Sequence, residues 1–225
     1  MQVPRPANPG DAAAKTEAMS AFFGRALQRV DYLNELQNGG YDTEALTLCL
    51  TYIDSFAQWL HYPRKGVGEN FVDALSAHEP VPYFSLIHPS QMIRQLRRMK
   101  GRWPSHAKVL ESIFPGPTYQ LMDRLAFARS LSTGFVSADL RSLQKEVWRG
   151  TIGAVAYFWL RNPSIHQFGS SPSLSFGSTR HQGNELPRLG LVTLLPPLRS
   201  IINETRARSM ATCEWFGDDR IMFEA

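Results

Sequence analysis

A chain of 225 residues, 43% hydrophobic and 20% charged, has the balance of a globular protein and enough length to bury a sizeable core. No apolar run reaches the roughly 18 residues a membrane-spanning helix needs, and the first residues lack the apolar centre of a secretory signal, so a cytoplasmic location with no membrane partner is expected. The formal charge of +4 is too mild to be a nucleic-acid signature by itself, and two cysteines, Cys49 and Cys213, make neither a disulfide framework nor a zinc site.

Residues 1–14, with three prolines, a glycine and several alanines, read as a flexible leader, leaving 15–225 as a single domain. From Thr16 to Asn38 the spacing of Phe22, Ala26, Val30, Leu33 and Leu36 predicts a helix, ended by Gly39-Gly40. Asp42 or Thr43 can cap the next one. Its apolar positions Ala45, Cys49, Tyr52, Phe56 and Trp59 recur at steps of three and four, and further leucines and isoleucines cover most of its circumference. A helix apolar all round belongs at the centre of a bundle.

Residues 64–136 then read as a helical insert of short pieces: Glu69 to Ala77, Ser90 to Met99, Ser105 to Ile113 and Tyr119 to Arg129. The second of these is basic. Arg94, Arg97, Arg98 and Lys100 sit within seven positions and are the candidate nucleic-acid-binding residues, because such a run can track a phosphate backbone. Arg199, Arg206 and Arg208 make a second basic group.

Ser137 is the expected cap of a long segment, 138–161, with Leu140, Leu143, Val147, Ile152, Val155 and Trp159 on its core face. Gly169 to Glu185 is rich in glycine and serine and reads as a loop, with Leu174 and Phe176 suited to a small hairpin. A last helix spans about 187–210, where Pro196-Pro197 must either kink it or lie in a fresh first turn. Strand signals are few. The expected class is all-α, a bundle of four longer helices (16–38, 42–61, 138–161 and 187–210) with a short β-hairpin before the last one.

The chemistry-bearing pattern is Arg161-Asn162-Pro163-Ser164-Ile165-His166, where an apolar helix turns polar. If Pro163 bends or restarts the helix, Arg161 and His166 lie about one turn apart and can point the same way. Arginine offers a permanently charged fork that suits phosphate. Histidine titrates near neutrality and can give or take a proton. Asn162 adds an amide to hold either. Cleavage of RNA by its own 2′-hydroxyl needs about this set, with no metal and no cofactor: one group moves protons, one cation stabilises the developing charge. His61, His78, His88 and His106 are scattered without ligand spacing, and Asp54 and Asp73 have no paired carboxylate.

Glu146 to Gly150, Trp159 to Gly169 and the apolar stretch from Leu46 to Trp59 together resemble the HEPN superfamily (higher eukaryotes and prokaryotes nucleotide-binding domains). Its hallmark is an arginine, a polar neighbour and, after four to six residues, a histidine. Arg161, Asn162 and His166 match it. Leu186-Pro187-Arg188-Leu189-Gly190-Leu191 through Ile202 resembles the last helix of such proteins. The resemblance implies a helical bundle that forms a homodimer with two such motifs facing one cleft. It also implies a metal-independent endoribonuclease acting on RNA, as a toxin or an anti-phage or stress effector, with an antitoxin or other protein partner. Arg161 would then bind phosphate, His166 transfer the proton and Asn162 support both. Pro163 departs from a continuous helix within the motif. Two rivals stand beside this: a non-catalytic RNA- or nucleotide-binding or scaffold module of the same fold, and a basic helical DNA-binding regulator relying on Arg94 to Lys100.

Overall fold

The computed structural model describes residues 9–61, 66–116, 120–162, 173–174, 180–181 and 184–213. They form an all-α fold in which the strands are only two residues long. Helix α1 spans Pro9–Asn38 and α2 Asp42–His61. Helix α1 thus starts well inside the stretch read as a leader; the run of alanines after Pro9 suits a first turn. Gly39 and Gly40 close it as expected: Gly40 takes φ +86°, and Tyr41 N–H reaches back to the Leu36 carbonyl at 3.0 Å.

The inward face of α2 consists of Ala45, Leu46, Cys49, Leu50, Ile53 and Ala57, all fully buried. Tyr52 and Trp59, expected on that face, are half-buried on its flank beside α1. The i, i+3, i+4 pattern located the helix, but its excess of apolar positions left the inward direction undetermined.

Helices α3 (Val67–His78), α4 (Pro89–Arg98), α5 (Trp103–Ile113) and α6 (Arg124–Leu131) follow. The last starts later than expected, because the Asp123 carboxylate accepts from Ala126 N–H at 2.7 Å and fixes the first turn there. These four helices do not constitute one insert. Phe71, Val72, Ala74 and Leu75 of α3 belong to the main core with α1, α2 and the last helix. A second apolar cluster is built from Ile87, α4, α5 with Phe114 just beyond it, α6 and Leu143: its members on these elements include Met92, Ile93, Leu96, Ala107, Leu110, Phe127 and Leu131. Each fully buried side chain of this size stabilises the fold by about 1.5–3 kcal/mol relative to exposure.

The segment expected as a single helix over 138–161 is divided. Helix α7 covers Ser137–Glu146, a 3₁₀ turn Val147–Gly150, and α8 Ile152–Val155, continuing as a π-helix over Ala156–Arg161. Ser137 is the first helical residue of α7; Val136 holds the cap position and no side chain caps it. The break has a packing cause. A Cβ on Gly150 would lie 2.8 Å from Met92 Cβ, so only glycine lets α4 come this close. Thr151 then caps α8, its hydroxyl accepting from Ala154 N–H at 3.1 Å and donating to the Trp148 carbonyl at 2.7 Å.

The chain from Phe84 to His88 runs beside this break and is bonded to it. Ile87 bridges both Met122 and Thr151, Ile152 N–H reaches the Leu86 carbonyl at 2.9 Å and Gly153 N–H that of Phe84 at 2.9 Å. The start of α8 is therefore anchored from both core clusters.

Two antiparallel pairs precede the last helix: β1 (Ser173–Leu174) with β4 (Leu189–Gly190), and, nested between them, β2 (Arg180–His181) with β3 (Asn184–Glu185). Phe176 lies outside the described residues. Helix α9 (Leu191–Thr212) runs through Pro196 and Pro197 without interruption. It buries Leu194, Leu198, Ile201, Ile202 and Thr205 against α1, α2 and α3. Among the described residues no helix is long and apolar enough to cross a membrane.

Candidate functional site

Arg161 ends the π-helical stretch and Asn162 follows as its cap residue, with its N–H bonded to the Tyr157 carbonyl. A π turn holds one more residue than an α turn and is found at functional sites more often than chance allows. The Arg161 guanidinium points toward α2. Its Nη2 donates to Asp54 Oδ2 at 2.6 Å and its Nη1 to Asn162 Oδ1 at 3.0 Å. The two charged side chains are 15% and 16% exposed, so solvent screens the pair weakly. Arg161 Nε is buried and finds no acceptor among the described residues.

Asp54 is held in turn. Gln58 Nε2 donates to its Oδ1 at 3.4 Å and to the Val67 carbonyl at 3.2 Å, while Asn70 Nδ2 donates to Gln58 Oε1 at 2.9 Å. A polar chain thus runs from the start of α3 through α2 to the end of the π-helix. Tyr157 walls the cluster, its ring centroid 5.4 Å from the guanidinium carbon. Burial pushes its hydroxyl pKa up, Arg161 opposes that and Asp54 adds to it. Gly68 makes room for this ring: a Cβ there would lie 2.7 Å from Tyr157 Cε1. Tyr157 and Phe158 also line an open cavity of about 700 Å³ with Gly66, Gly68, Lys145 and Arg149.

Of the three residues expected to do chemistry, Arg161 and Asn162 are in contact, and His166 lies outside the described residues. Asp54, dismissed for want of a second carboxylate, is the residue that sequence reasoning missed. Its partner is a cation on another helix. The signal was present: one acidic side chain among Ile53, Phe56 and Ala57 on an apolar helix requires a compensating charge.

The basic run of α4 serves several ends. The Arg94 guanidinium lies 4.1 Å over the Trp159 ring and that of Arg98 5.7 Å from it. Arg97 pairs with Glu111 of α5, and Lys100 is exposed in the turn beyond. Trp159 Nε1 donates to Gln91 Oε1 at 3.3 Å, which ties this cationic and aromatic face to the element that carries Arg161. The expected second basic group is dispersed: Arg199 pairs with Asp31, Arg206 reaches Ser20 and Arg208 reaches Glu204 and the Leu60 carbonyl.

Three other histidines, His78, His88 and His106, have structural partners. His106 is 7% exposed, with Nδ1 2.9 Å from the Arg102 carbonyl and Nε2 3.3 Å from Asp139. His78 Nδ1 is 3.0 Å from Ser200 Oγ, and His88 caps α4. Among the described residues no three side chains of metal-ligand type converge.

No family model matches this chain, and no curated protein or solved structure matches it either.

Proposed function

We propose that this protein acts on RNA as a HEPN-like, metal-independent endoribonuclease, with Arg161, Asn162 and His166 as its working residues. The observation that supports this most is the joint placement of Arg161 and Asn162. They bond to each other on a π turn whose guanidinium is clamped by Asp54, where the chain leaves toward His166. In this reading the guanidinium binds the scissile phosphate and stabilises the charge that builds on its oxygens. His166 takes the proton of the attacking 2′-hydroxyl or supplies one to the leaving 5′-oxygen. Asp54 fixes the direction of the fork and prevents Arg161 from swinging into solvent. Arg94, Arg98 and Lys100 draw the strand in by charge, and Trp159 lends that face its aromatic surface. A homodimer that opposes two such motifs would complete the cleft, and an antitoxin or other protein partner would restrain it in the cytoplasm.

The test compares the wild type with His166→Ala and Arg161→Ala on a structured RNA with EDTA present. Cleavage by the wild type that falls at least a hundredfold in both variants supports the reading. Equal cleavage by all three, or cleavage abolished by EDTA, removes it.

One observation favours a second reading, a non-catalytic RNA- or nucleotide-binding module. Asp54 already neutralises Arg161 at 15% exposure, which weakens its pull on a phosphate. That reading expects RNA binding by the wild type and no cleavage at any pH.

A further inference from the structure

A groove of about 350 Å³ opens between α1 and α2 on the flank of α2 that carries Tyr52 and Trp59, apart from the Arg161 cluster. Its floor is aromatic. Phe22 of α1 lies 6.4 Å from Trp59 of α2, and Phe56 meets Trp59 edge to face at 5.2 Å. Its α1 rim carries Arg25 and Arg29, one turn apart and exposed, and among the described residues no carboxylate pairs with either. Exposed arginines beside an aromatic floor suit a ligand that brings rings and carboxylates together.

We propose that this groove is a docking site for the chain's own C-terminal segment, residues 214–225. Three observations agree. The first is chemistry: Glu214, Trp215, Phe216, Asp218 and Asp219 open the segment, and four carboxylates stand against one arginine in all of it. The second is the point of departure. Cys213 ends α9 in a left-handed conformation, φ 54°, with its sulfur 4.0 Å from Thr16 Oγ1 of α1.

The third is register. Along α1, Phe22 lies about 9 Å beyond Thr16, and Arg25 and Arg29 about 14 and 20 Å beyond it. An extended chain advances about 3.3 Å per residue. Leaving Cys213, it brings Phe216 abreast of Phe22 after about 10 Å, and Asp218 and Asp219 abreast of the two arginines after about 16 and 20 Å. Rings meet rings and carboxylates meet guanidiniums in one direction of travel. A tethered segment is present at an effective concentration on the millimolar scale, which favours it over a second copy or a separate acidic peptide.

Hydrogen–deuterium exchange on the full chain tests this. Backbone amides of 214–219 should exchange at least tenfold slower than in an unstructured peptide, at the same factor across a hundredfold dilution. Arg25→Glu with Arg29→Glu should remove that protection, and adding Asp218→Lys with Asp219→Lys should restore it. Both arginines are exposed, so circular dichroism of the variants should match the wild type. Filling the groove by Ser55→Trp should release the segment as well. Exchange at the free-peptide rate in the wild type overturns the proposal. So does protection indifferent to the reversed charges, or protection lost on dilution, which would assign the groove to a second copy.

Discussion

Asp54 and Arg161 stand 107 positions apart in the chain and meet at 2.6 Å, joining the central helix of the bundle to the polar end of the π-helix. Both are largely withdrawn from water, so the loss of one strands the other. Asp54→Ala and Arg161→Ala should each destabilise the protein by about 1–3 kcal/mol. The double variant should cost less than the sum, with a coupling of about 1 kcal/mol or more. Urea unfolding followed by tryptophan fluorescence reads all four corners of the cycle, and strict additivity would refute the coupling. On the proposed ribonuclease reading, folded Asp54→Ala should also lose RNA cleavage alongside Arg161→Ala, since the fork is no longer aimed.

Gly68→Ala should destabilise although it replaces glycine by a better helix former. The helical gain is at most about 1 kcal/mol, whereas forcing a methyl to within 2.7 Å of Tyr157 costs about 1–3 kcal/mol. The two effects separate in a Tyr157→Leu background. There the same substitution should turn neutral or stabilising by thermal melting; an unchanged penalty would place the clash elsewhere.

Stability should fall in mild acid through His88. Burial pulls its pKa below the ordinary value of about 6.5, partly offset by a backbone hydrogen bond. Its Nδ1 accepts from Gln91 N–H at the head of α4. The unfolded chain therefore binds this proton more readily than the folded one. The stabilising contribution is complete above about pH 6.5 and declines as pH drops below it toward the folded value. His88→Asn keeps a capping acceptor without the titration, so its unfolding free energy should be flatter between pH 7 and 5 than that of the wild type. Parallel curves would show that other groups carry the dependence.

The two thiols should differ in reactivity. Cys49 is fully buried, and burial raises its pKa so far that thiolate is scarce, while Cys213 is partly exposed at the end of α9. A thiol reagent should modify one cysteine in the native protein and two in denaturant. Prompt labelling of both without denaturant would mean that α2 opens readily.

The helices were legible where periodicity and punctuation agreed. Thr16 to Asn38 ended at its glycines, and its Val30 and Leu33 turned inward as their spacing required. What escaped depends on contacts between distant residues. Gly150 and Thr151 do not look like a helix break until α4 and the Phe84 to His88 chain press against them. The membership of α3 in the main core is set by packing partners, which no local spacing reports. For the site, the sequence singled out Arg161 and Asn162 by residue type. It held a sign that Asp54 needs a counter-charge but could not name Arg161 as the partner, because an ion pair across 107 positions leaves no periodic trace. His166 stays a reading of the motif.

The π-helical run at Ala156–Arg161 carries a consequence for how this corner of the protein tolerates insertions and deletions. Removing a single residue between Ala156 and Leu160 would let the run relax into ordinary α geometry, the easier state for a polypeptide. Because the wider π turn already takes up one extra residue, the side chains beyond the cut would keep nearly the directions they have now. A residue added to the run has no such outlet: carried in α geometry it turns everything beyond it by about 100°, and the guanidinium would leave its carboxylate. The aim of Arg161 thus survives the loss of one residue from this stretch better than the gain of one.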